Sequence, residues 1–213
     1  MSATLEQIKQ AVIDGKHKEI EGLVQTAVDQ KIDLNRIIND ALIEAMDDIG
    51  KKFGCGEVFV PEMLVSALTM KKALAIIKPL LKAEDSKAKA TVLMGTVKGD
   101  LHDIGKNLVC IMLEGAGFEV VDLGVDLNAE KLVEKVMEIK PDIVGLSALL
   151  TTTMPEMQKV ISAMQEKGLR SKVKVMVGGA PLDAKFAEKI GADGYGKDAG
   201  EAVQLARRLV AGD

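Results

Sequence analysis

Tryptophan is absent from this 213-residue chain, tyrosine occurs once, phenylalanine four times, and histidine and cysteine twice each. Aromatics make up 2% while hydrophobic residues make up 47%, so the core must be aliphatic, built from Leu, Ile, Val, Ala and Met. Eleven methionines suit such a core, because an unbranched thioether fills irregular gaps. Two cysteines, Cys55 and Cys110, cannot form a disulfide framework. They read as free buried thiols in a reducing cytoplasm. No apolar run approaches the roughly 18 residues of a membrane span. The opening MSATLEQIKQAV lacks the apolar stretch of a signal peptide, so the expected location is cytoplasmic, with no membrane partner. The net charge of −4 is spread along the chain, with no basic block or aromatic-studded basic stripe, which argues against a nucleic-acid partner.

What is present falls into two halves with different periods. In the first, Leu5, Ile8 and Val12 form a short helical stripe that stops at Asp14-Gly15. Ile20, Leu23, Val24, Ala27 and Val28 form a second, at i, i+3, i+4, i+7 and i+8. A third runs from Leu34 to Ile49 with Asp33 as its N-cap. A fourth is expected from Pro61 through Leu64, Leu68 and Leu74, ending or kinking at Pro79. Four amphipathic helices with short connections predict a small antiparallel bundle. The polar stretch KAEDSKAKA, Lys82 to Ala90, loses the stripe, and the domain boundary is placed there: residues 1–88 helical with a linker, 89–213 a second domain.

Beyond it, short β-type runs alternate with helical ones. ATVLMG, FEVVDLG, DIVGLSAL, VKVMVGG and ADGYG are each followed by a helix, expected near 104–115, 128–139, 154–167, 183–190 and 199–211. This alternation predicts right-handed βαβ units and an α/β, doubly wound parallel sheet of flavodoxin-like or Rossmann-like type. Such sheets bind ligands beyond the carboxyl ends of their strands.

The stretch MGTVKGDLHDIGKNLV, Met94 to Val109, lies at the first of those ends and holds one of the two histidines, His102. It is not a P-loop: five residues rather than four separate Gly99 from Gly105, and Asn107 stands where Ser or Thr is needed. No Gly-x-Gly-x-x-Gly occurs, so the dinucleotide fingerprint is missing. Asp100 and Asp103 could belong to the acidic cluster of a phosphorylated receiver, but His102 would then have no role. Zinc needs several N or S donors, and one histidine without a nearby cysteine does not supply them. An aspartate two residues before a histidine suits an axial ligand to a metal whose other positions a macrocycle fills, the carboxylate fixing the ring tautomer. By itself, Asp-x-His-x-x-Gly also fits a plain surface turn with an incidental histidine.

Two further pieces complete a pattern. Forty-one residues separate Gly105 from Ser147-Ala148-Leu149, and twenty-eight separate Leu149 from Gly178-Gly179. All three pieces fall at expected strand ends on one edge of the sheet. In order and spacing the chain resembles the cobalamin-binding family, whose signature is Asp-x-His-x-x-Gly, Ser-x-Leu, then Gly-Gly. GEVFVPEMLVSALTMKKAL, Gly56 to Leu74, resembles the cap helix of the methionine synthase cobalamin module. Length and order are similar to the small corrinoid methyl carriers of methylotrophic methanogens and acetogens.

The resemblance implies a corrinoid, cobalamin or a relative, bound with its own base detached and His102 as axial ligand to cobalt. It implies that Asp100 hydrogen-bonds that histidine and that Thr153 completes the relay where a serine stands in methionine synthase. Ser147, Gly178, Gly179 and Gly145 would make room for the detached nucleotide tail, and Leu149 of the Ser-x-Leu piece would also contact the cofactor. Gly99, Leu101, Ile104, Gly105 and Thr151 would line the corrin edge or the tail, and Ala199 would touch the tail. The helical half would cap the upper face through Phe59, Met63 and Leu64. His17 is expected to be exposed and uninvolved.

The implied chemistry is methyl transfer in one-carbon metabolism. Cob(I) takes a methyl group and the methylcobalamin state yields it, and cob(I) and cob(II) are the implied methyl-free forms. The implied partners are a substrate-specific methyltransferase, a second methyltransferase delivering to coenzyme M or a tetrahydrofolate, and a corrinoid reductive activase. No second set of acid–base residues is evident, so the chain is expected to be a methyl-carrying subunit, not catalytic alone. The alternative is a cobalamin-dependent sensor or regulatory module; such chains usually add a DNA-binding segment, and no basic recognition helix is evident here. A mutase small subunit would lack the helical half.

Overall fold

A computed structural model describes residues 2–81 and 90–212. The described residues form two compact units: residues 2–81 make a helical one, and residues 90–212, apart from Gly115–Gly117, make a sheet-centred one. The boundary expected at 88/89 lies outside the described residues.

The helical unit contains α1 (Ala3–Ile13), α2 (Ile20–Asp29), a third rod and α5 (Val60–Ile77). The third rod begins as α3 (Leu34–Arg36), passes through a π-helical segment, Ile37–Ile43, and continues as α4 (Glu44–Gly54). Asp33 caps it as expected, accepting from the Arg36 N–H at 3.0 Å. Leu5, Ile8, Val12, Ile20, Val24, Ile37, Leu42, Met46 and Ile49 are buried within this unit. Each such side chain contributes roughly 1.5–3 kcal/mol when fully withdrawn from water. Lys9 ties α1 to α4, its Nζ lying 3.2 Å from Glu44 and 3.0 Å from Asp48.

α5 differs from the sequence expectation. Its buried face is Met63, Ser66, Thr69, Met70, Ala73 and Ile77, while Leu64 and Leu68 are exposed. The helix is apolar on several sides, so leucine spacing does not identify the core face. The buried hydroxyls are satisfied by carbonyls, Thr69 donating to Val65 at 2.8 Å and Ser66 to Ile13 at 3.3 Å. The helix stops before Pro79, as expected.

The second unit is built on β1 (Thr91–Thr96), β2 (Glu119–Asp122), β3 (Ile143–Ser147), β4 (Lys174–Gly178) and β5 (Gly194–Gly196). Between and after them come α6 (Ile104–Gly115), α7 (Ala129–Ile139), α8 (Met154–Glu166), α9 (Ala184–Ile190) and α10 (Ala199–Ala211). All strand pairs are parallel and the order is β2-β1-β3-β4-β5. That is the flavodoxin-like arrangement, in which the chain reverses direction across the sheet between β1 and β3.

Strand alternation sends Leu93, Val144, Leu146, Val175 and Val177 into one core with Leu132, Val136, Val160, Ile161, Met164 and Ile190. One residue along, Met94, Gly145, Met176 and Gly194 lie side by side in register, and Thr96, Ser147, Gly178 and Gly196 form the next row toward the carboxyl ends. The strands therefore finish on a line of small side chains. Cys110 is buried as expected, but Cys55 is exposed, just beyond the end of α4.

Candidate functional site

The loops leaving β1 and β3 meet at the point where the sheet reverses direction, and one side chain joins them. Asp100 is completely buried. Its Oδ1 accepts from His102 Nδ1 at 2.7 Å and from the His102 backbone N–H at 3.1 Å. Its Oδ2 accepts from the Leu149 N–H at 2.7 Å, the Leu150 N–H at 3.3 Å and the Thr153 hydroxyl at 2.8 Å. Burial alone would raise the Asp100 pKa, but hydrogen bonds from Leu149, His102 and Thr153 outweigh it and hold the carboxyl well below the usual carboxylate range. An ionised carboxylate only accepts, so the His102 ring must donate from Nδ1. Nε2 is left as the nitrogen with a free lone pair, on a side chain that is 52% exposed.

The histidine is held at its backbone as well. Thr96, fully buried at the end of β1, donates its hydroxyl to the His102 carbonyl at 3.0 Å. Just past it, α6 is anchored by Lys106, whose Nζ is paired with Asp122 at the end of β2 and donates to Asn107 Oδ1 at 2.7 Å. Around the turn the large apolar side chains face outward: Leu101 is 71% exposed, Ile104 81%, Leu149 42% and Leu150 41%. Four exposed aliphatic residues beside one prepared imidazole make an apolar seat around a single donor.

The glycines separate into two kinds. Gly179 has φ +137°, and a Cβ there would sit 1.8 Å from the Ala148 carbonyl oxygen, so the fold itself requires glycine. A Cβ on Gly178 would meet the Gly196 carbonyl at 3.1 Å. Gly145 faces Met94, whose sulfur would lie 2.2 Å from an added Cβ, so Met94 already fills the space expected for the tail. Gly105 has no positive φ and nothing within 4 Å of an added Cβ. Among the described residues no packing demand accounts for glycine at that position, which is what a surface kept clear for a ligand would show.

The remaining expected residues are distributed as follows. Gly99 and Thr151 are exposed near the turn, Ser147 is half-buried at the end of β3, and Ala199 is buried in the first turn of α10. In the helical unit Phe59 is 66% and Leu64 41% exposed, whereas Met63 is fully buried on the same face of α5 as Ser66 and Met70. Met63 is thus placed in the core of the bundle and offers no surface. His17 is half-buried rather than exposed, with its Nδ1 3.3 Å from the Gly15 carbonyl.

Among the described residues, no three His, Cys, Asp or Glu side chains gather as a metal site. A lone His102 can hold a metal only if the other donors come with the metal, as in a macrocycle. The donor set, the apolar seat and the clear position at Gly105 all fit a corrinoid.

The comparisons with known proteins agree. Residues 90–204 match the family model described as a B12 binding domain, and residues 4–78 match a second model of the same description. The chain belongs to the B12-binding corrinoid protein family. Its cofactor is cobalamin or a related corrinoid. A corrinoid protein of Desulfitobacterium hafniense is 41% identical over 209 residues, covering 97% of each chain. A dimethylamine corrinoid protein of Methanosarcina acetivorans is 41% identical over 208 residues, again 97% of each. A chain in the crystal structure of the methanol:cobalamin methyltransferase complex of Methanosarcina barkeri superposes with a TM-score of 0.87. It is 31% identical, and the match covers 99% of this chain and 80% of that one. No helix of this corrinoid protein, among the described residues, is long and apolar enough to cross a membrane.

Several groups at the site carry no sequence signal that singles them out. The Leu149 and Leu150 donors are backbone N–H groups, invisible to residue type. Lys106 and Asp122 are sixteen residues apart and join only because β2 lies beside β1.

Proposed function

We propose that this corrinoid protein is a methyl carrier, loaded by one methyltransferase and discharged by another. When bound, the corrinoid supplies a cobalt centre that accepts and releases a methyl group. Everything else is the work of the chain. His102 would hold cobalt through Nε2. Asp100 holds the Nδ1 proton in place and so keeps that tautomer. Thr153, Leu149 and Leu150 keep Asp100 ionised and immobile. Because Asp100 is committed to its other donors, Nε2 is the ring nitrogen that would be presented to cobalt. Leu101, Ile104, Leu149 and Leu150 would seat the ring edge, with Gly99, Gly105 and Thr151 beside it. Ser147, Gly178, Gly179 and Ala199 stand at the sheet end where the nucleotide tail would lie, and Met94 would have to give way if the tail reached Gly145. The part of the helical unit is to shield the reactive face, for which Phe59 and Leu64 offer exposed apolar surface.

The observation that carries this reading is the Asp100–His102 pair, an imidazole prepared as a single ligand. The relatives support the carrier role, since they are named for dimethylamine and for a methanol:cobalamin methyltransferase complex. The donor is accordingly a small methylated compound activated by a substrate-specific methyltransferase. The acceptor is coenzyme M or a tetrahydrofolate, served by a second methyltransferase, with a reductive activase restoring the cofactor. Methylated amines and alcohols are poor electrophiles, and a partner that positions them contributes several orders of magnitude in rate.

The test is stopped-flow absorbance of the reduced holoprotein mixed with methylamines or methanol. Without a partner no repeated turnover is expected; with the cognate methyltransferase the cofactor spectrum should change within the mixing experiment. Rapid repeated turnover by the isolated chain would overturn the carrier reading.

A further inference from the structure

The loop after β2 runs alongside the histidine turn and grips it from the side opposite Asp100's other partners. Past the strand ends the two segments stay paired: the Thr96 N–H donates to the Gly124 carbonyl at 3.0 Å, and the Leu127 N–H to the Thr96 carbonyl at 3.0 Å. Val97 and Leu127 form an isolated parallel bridge. The last contact of this series is made by Asp126, and it has two points. The Asp126 carboxylate accepts from the Gly99 N–H at 2.7 Å, and the Asp126 N–H donates to the Asp100 carbonyl at 3.1 Å.

Both residues of this clamp have unusual backbone. Asp126 has φ +55° and Gly99 has φ +79°. The left-handed region is uncommon for a residue with a side chain, though aspartate tolerates it better than most. Such a conformation persists only where surrounding contacts determine it, and here those contacts are the two hydrogen bonds to the histidine turn. Asp126 makes no hydrogen bond to the His102 ring; its hold on the turn is through the Gly99 N–H and the Asp100 carbonyl. What it fixes is the backbone on either side of the Gly99–Asp100 peptide, and therefore where the Asp100 carboxylate and its imidazole are presented.

We propose that Asp126 is a positioning residue, which sets the His102 turn in its ligand-ready conformation before the cofactor arrives. The proposal rests on the reading of His102 as the axial ligand. Its loss should leave the imidazole present but poorly aimed.

The experiment compares Asp126→Gly, Asp126→Ala and Asp126→Asn with the native chain and with His102→Ala. Glycine removes the carboxylate without strain at φ +55°, alanine removes it with strain, and asparagine keeps both an acceptor and the conformation. In the cofactor-free protein, the Gly99 amide should exchange with solvent about tenfold faster in the glycine and alanine variants and near the native rate in the asparagine variant. Hydroxocobalamin should bind roughly tenfold more weakly to the first two, with asparagine restoring most of the difference. In the cob(II) form, the axial-nitrogen splitting should be broadened by a spread of ligand geometries, a change that mere loss of stability would not produce.

Faster Gly99 exchange with unchanged binding and unchanged axial lines would overturn the proposal, leaving Asp126 as a loop contact only. Native behaviour of the glycine and alanine variants in all three measurements would overturn it as well. If His102→Ala itself leaves the axial splitting unaltered, the ligand reading fails first and the positioning role falls with it.

Discussion

Thr153 Oγ1 lies 2.8 Å from Asp100 Oδ2, a bond between side chains 53 residues apart in the sequence. It fastens the start of α8 to the turn after β1, and both groups are buried. The Thr153 hydroxyl also lies 2.9 Å from the Leu150 carbonyl, so this one buried donor faces two acceptors. Removing Asp100 strands several donors at once, whereas removing the hydroxyl strands fewer groups. Asp100→Ala should therefore cost about 3 kcal/mol of unfolding free energy, and Thr153→Val about 1 kcal/mol, with Thr153→Ser near native. Urea unfolding of the cofactor-free chain measures all three; equal costs for Asp100→Ala and Thr153→Val would contradict the hub.

The same carboxylate makes stability depend on pH with a definite sign. Asp100 is held below its ordinary value in the folded state, so the unfolded chain binds its proton first as pH falls. Its contribution is complete above about pH 5 and declines as pH drops through about 4 and below, the range where an unperturbed aspartate titrates. The slope of unfolding free energy against pH should be smaller in Asp100→Asn over that range. An identical slope would show that Asp100 is not pinned as described.

Two glycines of the signature should respond in opposite ways. Gly179→Ala forces a Cβ into the Ala148 carbonyl and should destabilise the fold by about 3 kcal/mol or more. Gly105→Ala meets nothing and lies in α6, so it should be neutral or stabilising by about 0.5–1 kcal/mol. Yet Gly105→Ala should bind hydroxocobalamin more weakly, since the space it fills is the space kept clear. Thermal melting and cobalamin titration separate the two effects; normal affinity in Gly105→Ala would remove that glycine from the site.

The cysteines should react unequally. Burial, with the nearby Asp122 carboxylate, pushes the Cys110 thiol up to about 12. Cys55 is exposed. A disulfide reagent at neutral pH should label one thiol in the native chain and two after denaturation, because the thiolate is the reactive form. Fast labelling of Cys110 in the native chain would mean that α6 opens more readily than its buried contacts indicate.

Much of this was legible in the sequence because the relevant signals are periodic or local. The switch from helical to alternating strand-and-helix patterning marks all five strands, and the Asp100-Leu101-His102 spacing brings carboxylate and imidazole together within one turn. What escaped has identifiable causes. The π-helical segment Ile37–Ile43 keeps an apolar stripe compatible with an ordinary helix, so spacing alone does not reveal it. In α5, Ser66 and Thr69 occupy the buried face because their hydroxyls find carbonyls, while Leu64 and Leu68 stay outside. The Asp126 clamp joins a loop carboxylate to a backbone N–H 27 residues away, a contact with no residue-type or spacing signature.

The most direct test of the central claim is electron paramagnetic resonance of the cob(II) holoprotein, prepared with natural and with nitrogen-15 histidine. If His102 Nε2 is the axial ligand, the three-line superhyperfine pattern should become two-line on labelling, and His102→Ala should abolish the histidine-dependent change. A pattern that does not change with histidine labelling would contradict the account at its base.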